Sequence, residues 1–341
     1  MEWLDLNLTW YLIVGVLFAG YAVLDGFDLG VGMLHLFTRG DHERRISLNS
    51  IGPVWDGNEV WLVTAGGALF AAFPEAYATA FSGFYTAFML LLFGLIFRAV
   101  AIEFRSKQPM AWWRRTWDIA FSVASFAIAL LMGVALGNLI QGVPLDADHE
   151  MRLGFFAMLN PFALMTGVTT VALFMMHGAI YLVMKSEDDL QARVKGWVPN
   201  TIIFFTVSYA SLTMGTLVFF PHMAEPFRDY PALFLVALGG MLAIANIPRE
   251  ITAGRYALGF LSSSFTVVSL LTLVGIGLYP HLLYSQPNPE HSLHIYNAAS
   301  SQRTLGIMLI LAIIGMPFVL SYTIVIYRVF RGKVKLDSSS Y

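Results

Sequence analysis

"GPVWDGNEVWLVTAGGALF", residues 52–70, joins two chemically opposite segments. From residue 60 onward the stretch is apolar and rich in small residues, as in a helix that spans a membrane. The residues before it place Asp56 and Glu59 between two tryptophans. A charged side chain at the centre of a membrane helix costs about 2.5–3.5 kcal/mol. The stretch therefore predicts a membrane helix that retains ionisable groups near one end.

The composition predicts that the whole chain is embedded in a membrane. Of 341 residues, 57% are hydrophobic and only 12% are charged, whereas soluble domains carry about 25% charged residues. The absence of cysteine excludes disulfides, iron–sulfur clusters and thiolate zinc sites. The N-terminus lacks the basic region and cleavage site of a signal peptide, so we expect a retained first span. We expect one polytopic membrane domain over residues 1–341.

Apolar runs and basic residues together predict nine membrane-spanning helices. A helix needs about 20 apolar residues to cross a bilayer. Such runs lie at residues 9–36, 54–73, 79–101, 117–141, 160–184, 198–221, 231–248, 255–279 and 305–328. Of the 20 Lys and Arg residues, only Arg152, Arg228 and Arg303 fall on one side of the resulting topology. Since Lys and Arg concentrate in the cytoplasm, we predict an all-α membrane protein with its N-terminus outside and its C-terminus cytoplasmic.

Four acidic residues are predicted to meet near the cytoplasmic side of the first two spans. Asp25 and Asp28 are three residues apart on the first span, and Asp56 and Glu59 have the same spacing on the second. This spacing places each pair on one helix face. A carboxyl group that alternates between charged and neutral forms is suited to passing protons. We therefore interpret the four acids as a proton relay, with Asp56 as its principal residue.

Structural explanations for the same polar residues stay open at this stage. The acids are also expected to form ion pairs with Arg44 or Arg45 of the loop between the first two spans. Trp61, nearly two turns inside its span, needs a partner for its indole N–H or lines a cavity. His177 is the one histidine within a span, and the sequence places no second axial ligand opposite it. We therefore expect no haem in this chain.

Several motifs resemble those of subunit II of the cytochrome bd quinol oxidases. They are "LDGFDLGVG" at 24–32, "GPVWDGNEVWLVTAGGALFAAFPEAYA" at 52–78, "FRAVAIEFRSK" at 97–107, "GNLIQGVP" at 137–144, "LNPFALMTGV" at 159–168 and "SSQRTL" at 300–305. The "WDGNEVW" block with "GFDLG" upstream is a highly specific combination. The motifs extend along nearly the whole chain.

The resemblance implies a subunit of a bacterial respiratory oxidase that oxidises quinol, reduces dioxygen to water and translocates protons electrogenically. It implies two four-helix bundles plus one peripheral helix, in a multi-pass protein of the cytoplasmic (inner) membrane. Haem b and haem d are expected in the partner, subunit I, and none in this chain. A bound quinone is compatible with the resemblance, but its site is unknown. Expected partners are subunit I, a small single-helix accessory subunit and membrane lipid, but no nucleic acid.

The resemblance also implies roles for particular residues. Asp56 matches the proton-path aspartate of the "WDGN" motif, and Asp25 and Asp28 match the acids of "DGFD". Glu59 is the least secure of the acids, because family members vary on either side of "WDGN". Trp61 matches the tryptophan at the mouth of a proposed oxygen route.

Two alternative functions and one interface are considered beside this relay. A proton-coupled secondary transporter commonly has repeated halves, whereas these acids occur in one hairpin without a repeat. A purely structural scaffold for subunit I, with the acids holding the hairpin together, remains open. The interface with subunit I is predicted to be large and apolar, with Gly83 and Gly94 as contact points because small residues permit close helix packing.

Overall fold

The computed structural model describes residues 4–336 and residue 340, and these residues are almost entirely helical. The helices are α1 (Leu6–Leu34), α2 (Gly40–Ile51), α3 (Trp55–Ala72), α4 (Pro74–Gly83), α5 (Tyr85–Phe104), α6 (Ala111–Gln141), α7 (Phe155–Met158), α8 (Pro161–Lys185), α9 (Asp188–Phe219), α10 (Glu225–Asp229), α11 (Phe234–Thr252), α12 (Tyr256–Leu278) and α13 (Gln302–Val329). Short 3₁₀ turns at His35–Phe37 and Arg105–Lys107 extend α1 and α5. Strands β1 (His281–Leu283) and β2 (Leu293–His294) form one antiparallel pair.

Eight helical segments among the described residues are long and apolar enough to cross a membrane. They are Leu6–Phe37, Tyr85–Lys107, Ala111–Gln141, Pro161–Lys185, Asp188–Phe219, Pro231–Thr252, Tyr256–Leu278 and Gln302–Val329. The prediction of an all-helical membrane protein is confirmed. The predicted second span is present as the 18-residue helix α3, but Asp56, Asn58 and Glu59 make it too polar to join this set. The ninth span, the two bundles and the orientation stay predictions.

The predicted third span, 79–101, is divided differently by the structure. Helix α4 ends at Gly83 and α5 begins at Tyr85, so the helix is interrupted at Phe84. Helix α5 then continues to Phe104, beyond the predicted end of the span, and Arg98 lies inside it and is fully buried. At Gly83 and Gly94, the glycines predicted to contact subunit I, a Cβ atom would meet Met151 and Ile128 of this same chain, so both glycines allow close packing within the chain. The interface with subunit I stays a prediction.

Helix α8 is the most buried of the long helices and packs closely against α1 and α6. Its crossing with α1 occurs at Gly30 and Gly178. A Cβ atom on Gly30 would collide with the backbone of Phe174 and Gly178, and one on Gly178 would collide with the backbone of Gly30. Only glycine allows two helix backbones to approach so closely. This crossing fixes where Asp28, two residues before Gly30 on α1, lies along α8.

Helix α13 lies at the edge of the fold. Its buried residues are Leu305 and Leu309, both near its N-terminal end. Most of its large apolar side chains are exposed, as expected of a helix that contacts lipid. Its C-terminal half passes beside α3, where Tyr327 is half-buried.

Candidate functional site

Arg98 lies at the centre of the acids of the first hairpin. Its Nη2 atom is 2.7 Å from Asp25 Oδ1 and 3.2 Å from Glu59 Oε2. Asp25 and Asp28 are fully buried on α1, whereas the Glu59 side chain is 21% exposed. Asp28 is held beside them by its spacing of three residues from Asp25. We name these residues, Asp25, Asp28, Glu59 and Arg98, the Arg98 cluster. It holds three carboxyl groups and one guanidinium.

Asp28 is hydrogen-bonded through only one of its two oxygens. The Asn58 amide donates from Nδ2 to Asp28 Oδ2 at 2.8 Å and to the backbone oxygen of Leu24 at 3.1 Å. The Tyr327 hydroxyl donates to Asn58 Oδ1 at 2.9 Å. The other carboxyl oxygen, Asp28 Oδ1, is buried without a hydrogen-bond partner within residues 4–336 and 340. That oxygen is therefore the one at which a proton can be held without breaking a hydrogen bond.

Asp56 does not join the buried acids, although it was predicted to be the principal relay residue. Its side chain is exposed. The physical reason is helical geometry: residues turn by about 100° each, so Asp56 and Asn58 point in nearly opposite directions. Because Asn58 is buried against α1, Asp56 faces outward. Glu59, three residues after Asp56, lies between these directions and reaches Arg98.

Trp61 packs over α1 and lines a groove between α3 and α13. A Cβ atom at Gly20 would collide with the Trp61 ring, so the glycine provides the space for it. The groove has a volume of about 380 Å³, and its walls include Asn58, Tyr322 and Tyr327. The lining is mainly apolar. Trp61 therefore lines a cavity, which was one of its two interpretations from the sequence.

A second buried charge network, around Asp118 of α6, was missed by the sequence reasoning. Asp118 Oδ1 is 2.7 Å from His35 Nε2 and 2.5 Å from Arg105 Nε, and its Oδ2 is 2.7 Å from Arg44 Nη1. Arg105 also binds Asp41 at 2.8 Å. We name these five residues the Asp118 network. It joins the C-terminal ends of α1 and α5 to α2 and α6.

The structure contradicts the expectation that Arg44 pairs with the acids of the hairpin. Arg44 binds Asp118, and Arg98 is the cation that contacts Asp25 and Glu59. Sequence signals for both residues were available. Asp118 falls inside the predicted span 117–141, and Arg98 falls inside the predicted span 79–101, where any charged residue requires a partner.

The two buried histidines do not fit the role of haem ligand. His177 Nδ1 is 2.7 Å from Ser263 Oγ, and its Nε2 is 3.0 Å from the backbone oxygen of Val23. The His177 ring is stacked on Phe260. His35 is engaged by Asp118. An axial ligand needs a free ring nitrogen that faces the iron, and these side chains offer none in this conformation. Within the part of the chain described, no three His, Asp or Glu residues form a metal-binding group.

Comparison with known proteins agrees with this architecture. The family model of cytochrome bd terminal oxidase subunit II matches residues 6–330. The chain is 39% identical to the cytochrome bd-I ubiquinol oxidase subunit 2 of Escherichia coli (strain K12), over 96% of this chain and 95% of that protein. It is 34% identical to the cytochrome bd ubiquinol oxidase subunit 2 of Bacillus subtilis (strain 168), over 97% of both.

A solved structure supports the fold independently. A chain in the structure of bd oxidase from Geobacillus thermodenitrificans superimposes with a TM-score of 0.79, at 16% sequence identity, covering 96% of this chain and 99% of that chain. The resemblance seen in the motifs and the predicted inner-membrane location are confirmed. The chain therefore belongs to the cytochrome bd terminal oxidase subunit II family, and it is a subunit of a bd-type quinol oxidase.

Proposed function

We propose that this chain is the haem-free subunit of the oxidase and that its Arg98 cluster passes protons from the cytoplasmic side towards the site of dioxygen reduction. Haem b and haem d then belong to subunit I, which receives the protons. The enzyme as a whole oxidises quinol electrogenically, and any quinone in this chain or small accessory subunit beside it is secondary to this role. In the proposed topology of nine spans with an external N-terminus, the cluster lies in the cytoplasmic half of the membrane.

One observation carries the proposal: three carboxyl groups share a single guanidinium in the Arg98 cluster. An ionised carboxylate without a counter-charge is costly in a buried site, so such a group is neutralised instead. Asp25 is paired with the Arg98 guanidinium at 2.7 Å, whereas the hydrogen-bond donor to Asp28 is the neutral amide of Asn58. Asp28 is therefore the group best suited to gain and lose a proton during turnover.

The exposure of the acids supports a path that enters at α3. Asp56 is exposed, Glu59 is about one-fifth exposed, and Asp25 and Asp28 are fully buried. Exposure to water therefore falls from Asp56 through Glu59 to the buried pair of Asp25 and Asp28. In this proposal Asp56 collects protons at the surface, Glu59 transfers them inward, and Asp28 holds them beside Asp25.

Trp61 is proposed to serve the oxygen route that its motif implies. Its groove is mainly apolar and opens between α3 and α13. Dioxygen is an apolar molecule, so an apolar groove on the membrane side is a suitable place for it to enter.

The test is an Asp28→Asn variant in the intact oxidase complex. We expect normal haem content and a turnover at least about tenfold lower, a barrier increase of about 1.4 kcal/mol, because asparagine keeps the size of the side chain but cannot titrate. Quinol-oxidase turnover per haem is the measurement. Asp148→Asn, a change of an exposed acid in a loop, is the matched control and should leave turnover unchanged.

Two results would contradict the proposal. Normal turnover in Asp28→Asn would make Asp28 a structural acid. Loss of haem in the same variant would make it a packing residue of the scaffold, which is the alternative function considered from the sequence.

A further inference from the structure

The otherwise exposed helix α13 places one hydroxyl group against the Arg98 cluster. Its buried residues are at its N-terminal end, but near its other end Tyr327 donates to Asn58 Oδ1 at 2.9 Å. Asn58 in turn donates to Asp28 at 2.8 Å. We infer that Tyr327 is a positioning residue, which holds the Asn58 amide in the orientation that keeps the proton of Asp28 available. This inference rests on the proposed function of Asp28.

The two ends of a carboxamide group are chemically different. The oxygen only accepts hydrogen bonds and the NH₂ group only donates them. In the observed orientation, Oδ1 of Asn58 accepts from Tyr327, and Nδ2 donates to Asp28 Oδ2 and to the backbone oxygen of Leu24. Every polar atom of the Asn58 amide therefore has a suitable partner.

Protonation of Asp28 changes which orientation of the amide is favoured. A neutral carboxyl group can donate a hydrogen bond as well as accept one. If the amide turned over, Oδ1 of Asn58 would accept the new proton from Asp28 and hold it in a closed pair. The backbone oxygen of Leu24, which can only accept, opposes this turn because it would lose its donor, and the Tyr327 hydroxyl opposes it as well because its proton would lose the acceptor Oδ1. The proton then resides on Asp28 Oδ1, which has no partner among the residues described.

The side chain of Tyr327 is well placed for this task because its ring is fixed by the fold. It is half-buried and forms part of the wall of the groove between α3 and α13. Tyr230, which directly follows α10, is 70% exposed and lies outside this groove. The two tyrosines differ in whether the hydroxyl reaches Asn58, so they form a matched pair for an experiment.

The experiment compares Tyr327→Phe with Tyr230→Phe in the purified complex. We expect Tyr327→Phe to lower turnover per haem roughly twofold to tenfold, the effect of one hydrogen bond, with haem content unchanged. Tyr230→Phe should match the wild type. A double variant tests the route of the effect: in an Asn58→Leu background, Tyr327→Phe should have no further effect, because residues that act through one another are not additive.

Infrared difference spectra distinguish this role of Tyr327 from a purely structural one, which would leave the carboxyl band of Asp28 unchanged. The carbonyl stretch of a protonated carboxyl group reports the hydrogen bonds that the group makes. A band that is lost in Asp28→Asn should shift in Tyr327→Phe and stay in place in Tyr230→Phe. An unshifted band with wild-type turnover in Tyr327→Phe would overturn the inference about Tyr327 and leave the relay intact.

The remaining outcomes also decide the matter. Additive losses in the double variant would show that Tyr327 does not act through Asn58, and would overturn the inference. Normal turnover in Asp28→Asn would overturn the relay itself, and the role of Tyr327 with it. The failure of the inference and the failure of the proposed function are thus distinguished by which variant retains wild-type turnover.

Discussion

The Arg98 cluster and the Asp118 network use the same two helices but have opposite charge balances. Asp28 and His35 are seven residues apart on α1, as are Arg98 and Arg105 across α5 and its 3₁₀ extension. Seven residues are about two helical turns, or roughly 10 Å. The Asp118 carboxylate has a cation or histidine at each oxygen, whereas the Arg98 cluster has three carboxyl groups for one guanidinium. The first arrangement holds an acid permanently ionised, and the second leaves an acid able to take a proton.

The largest expected effect is on stability, in an Asp118→Asn variant. Removing the carboxylate leaves the guanidinium groups of Arg44 and Arg105 without their buried partner. Breaking a buried ion pair costs about 3–5 kcal/mol, and arginine cannot escape by losing its proton. We expect a marked drop in the unfolding temperature of the complex, measured by intrinsic tryptophan fluorescence, with little dependence on pH between 6 and 8.

Asp41→Asn is the matched control within the same network. The Asp41 side chain is 44% exposed, and exposed ion pairs contribute about 0–1 kcal/mol. Its variant should unfold close to the wild-type temperature. An equal drop in unfolding temperature in Asp41→Asn and Asp118→Asn would show that burial does not distinguish the two acids. It would contradict the contrast drawn between the two clusters.

The second largest effect is expected in an Arg98→Gln variant, which removes the cation of the Arg98 cluster. The carboxyl groups that remain can be neutralised by binding protons. At acidic pH the loss in free energy of unfolding should therefore be smaller than in Asp118→Asn. The folded variant binds more protons than the unfolded chain, and its stability must therefore fall as pH rises, by at most about 1.4 kcal/mol per pH unit for each proton taken up. Unfolding temperatures of Arg98→Gln measured from pH 6 to pH 8 check the sign. A flat profile would mean that these acids do not take up protons.

The smallest expected effect is on turnover in an Asp56→Asn variant. Because Asp56 is exposed, water can deliver protons to Glu59 when the carboxyl group at 56 is absent. We expect turnover per haem to fall by less than tenfold and by less than in Asp28→Asn. A larger loss in Asp56→Asn would return Asp56 to the principal role that its motif implies, and would point to a partner subunit that covers it.

The sequence predicted the helices well because their signal is local. Runs of apolar residues indicated spans, and spacings of three placed Asp25 and Asp28 on one face of α1. The second span kept its position as α3 even though its polar first turns lower its hydropathy. The interruption at Phe84 was missed, because the residues on both sides of it are apolar and continue the pattern of a span.

The site was predicted only in part, since its contacts depend on how distant helices turn towards one another. Asp56 and Glu59 share a helix, yet only Glu59 reaches Arg98. The contact between Tyr327 and Asn58 joins residues 269 positions apart. No periodicity of either segment indicates that they meet. Charged residues inside predicted spans, such as Arg98 and Asp118, do indicate such contacts, because a charged residue inside a span requires a partner.

The backbone contact at Gly30 and Gly178 determines from which direction Asp28 can be hydrated. Where two helix backbones touch, no gap of about 2.8 Å remains for a water molecule, whose probe radius is about 1.4 Å. This sealed seam lies two residues from Asp28, on the α8 side of α1. Water therefore cannot reach Asp28 through the contact between α1 and α8. In the proposed relay, protons must pass to and from Asp28 along the other sides of α1, one of which faces Asn58 of α3.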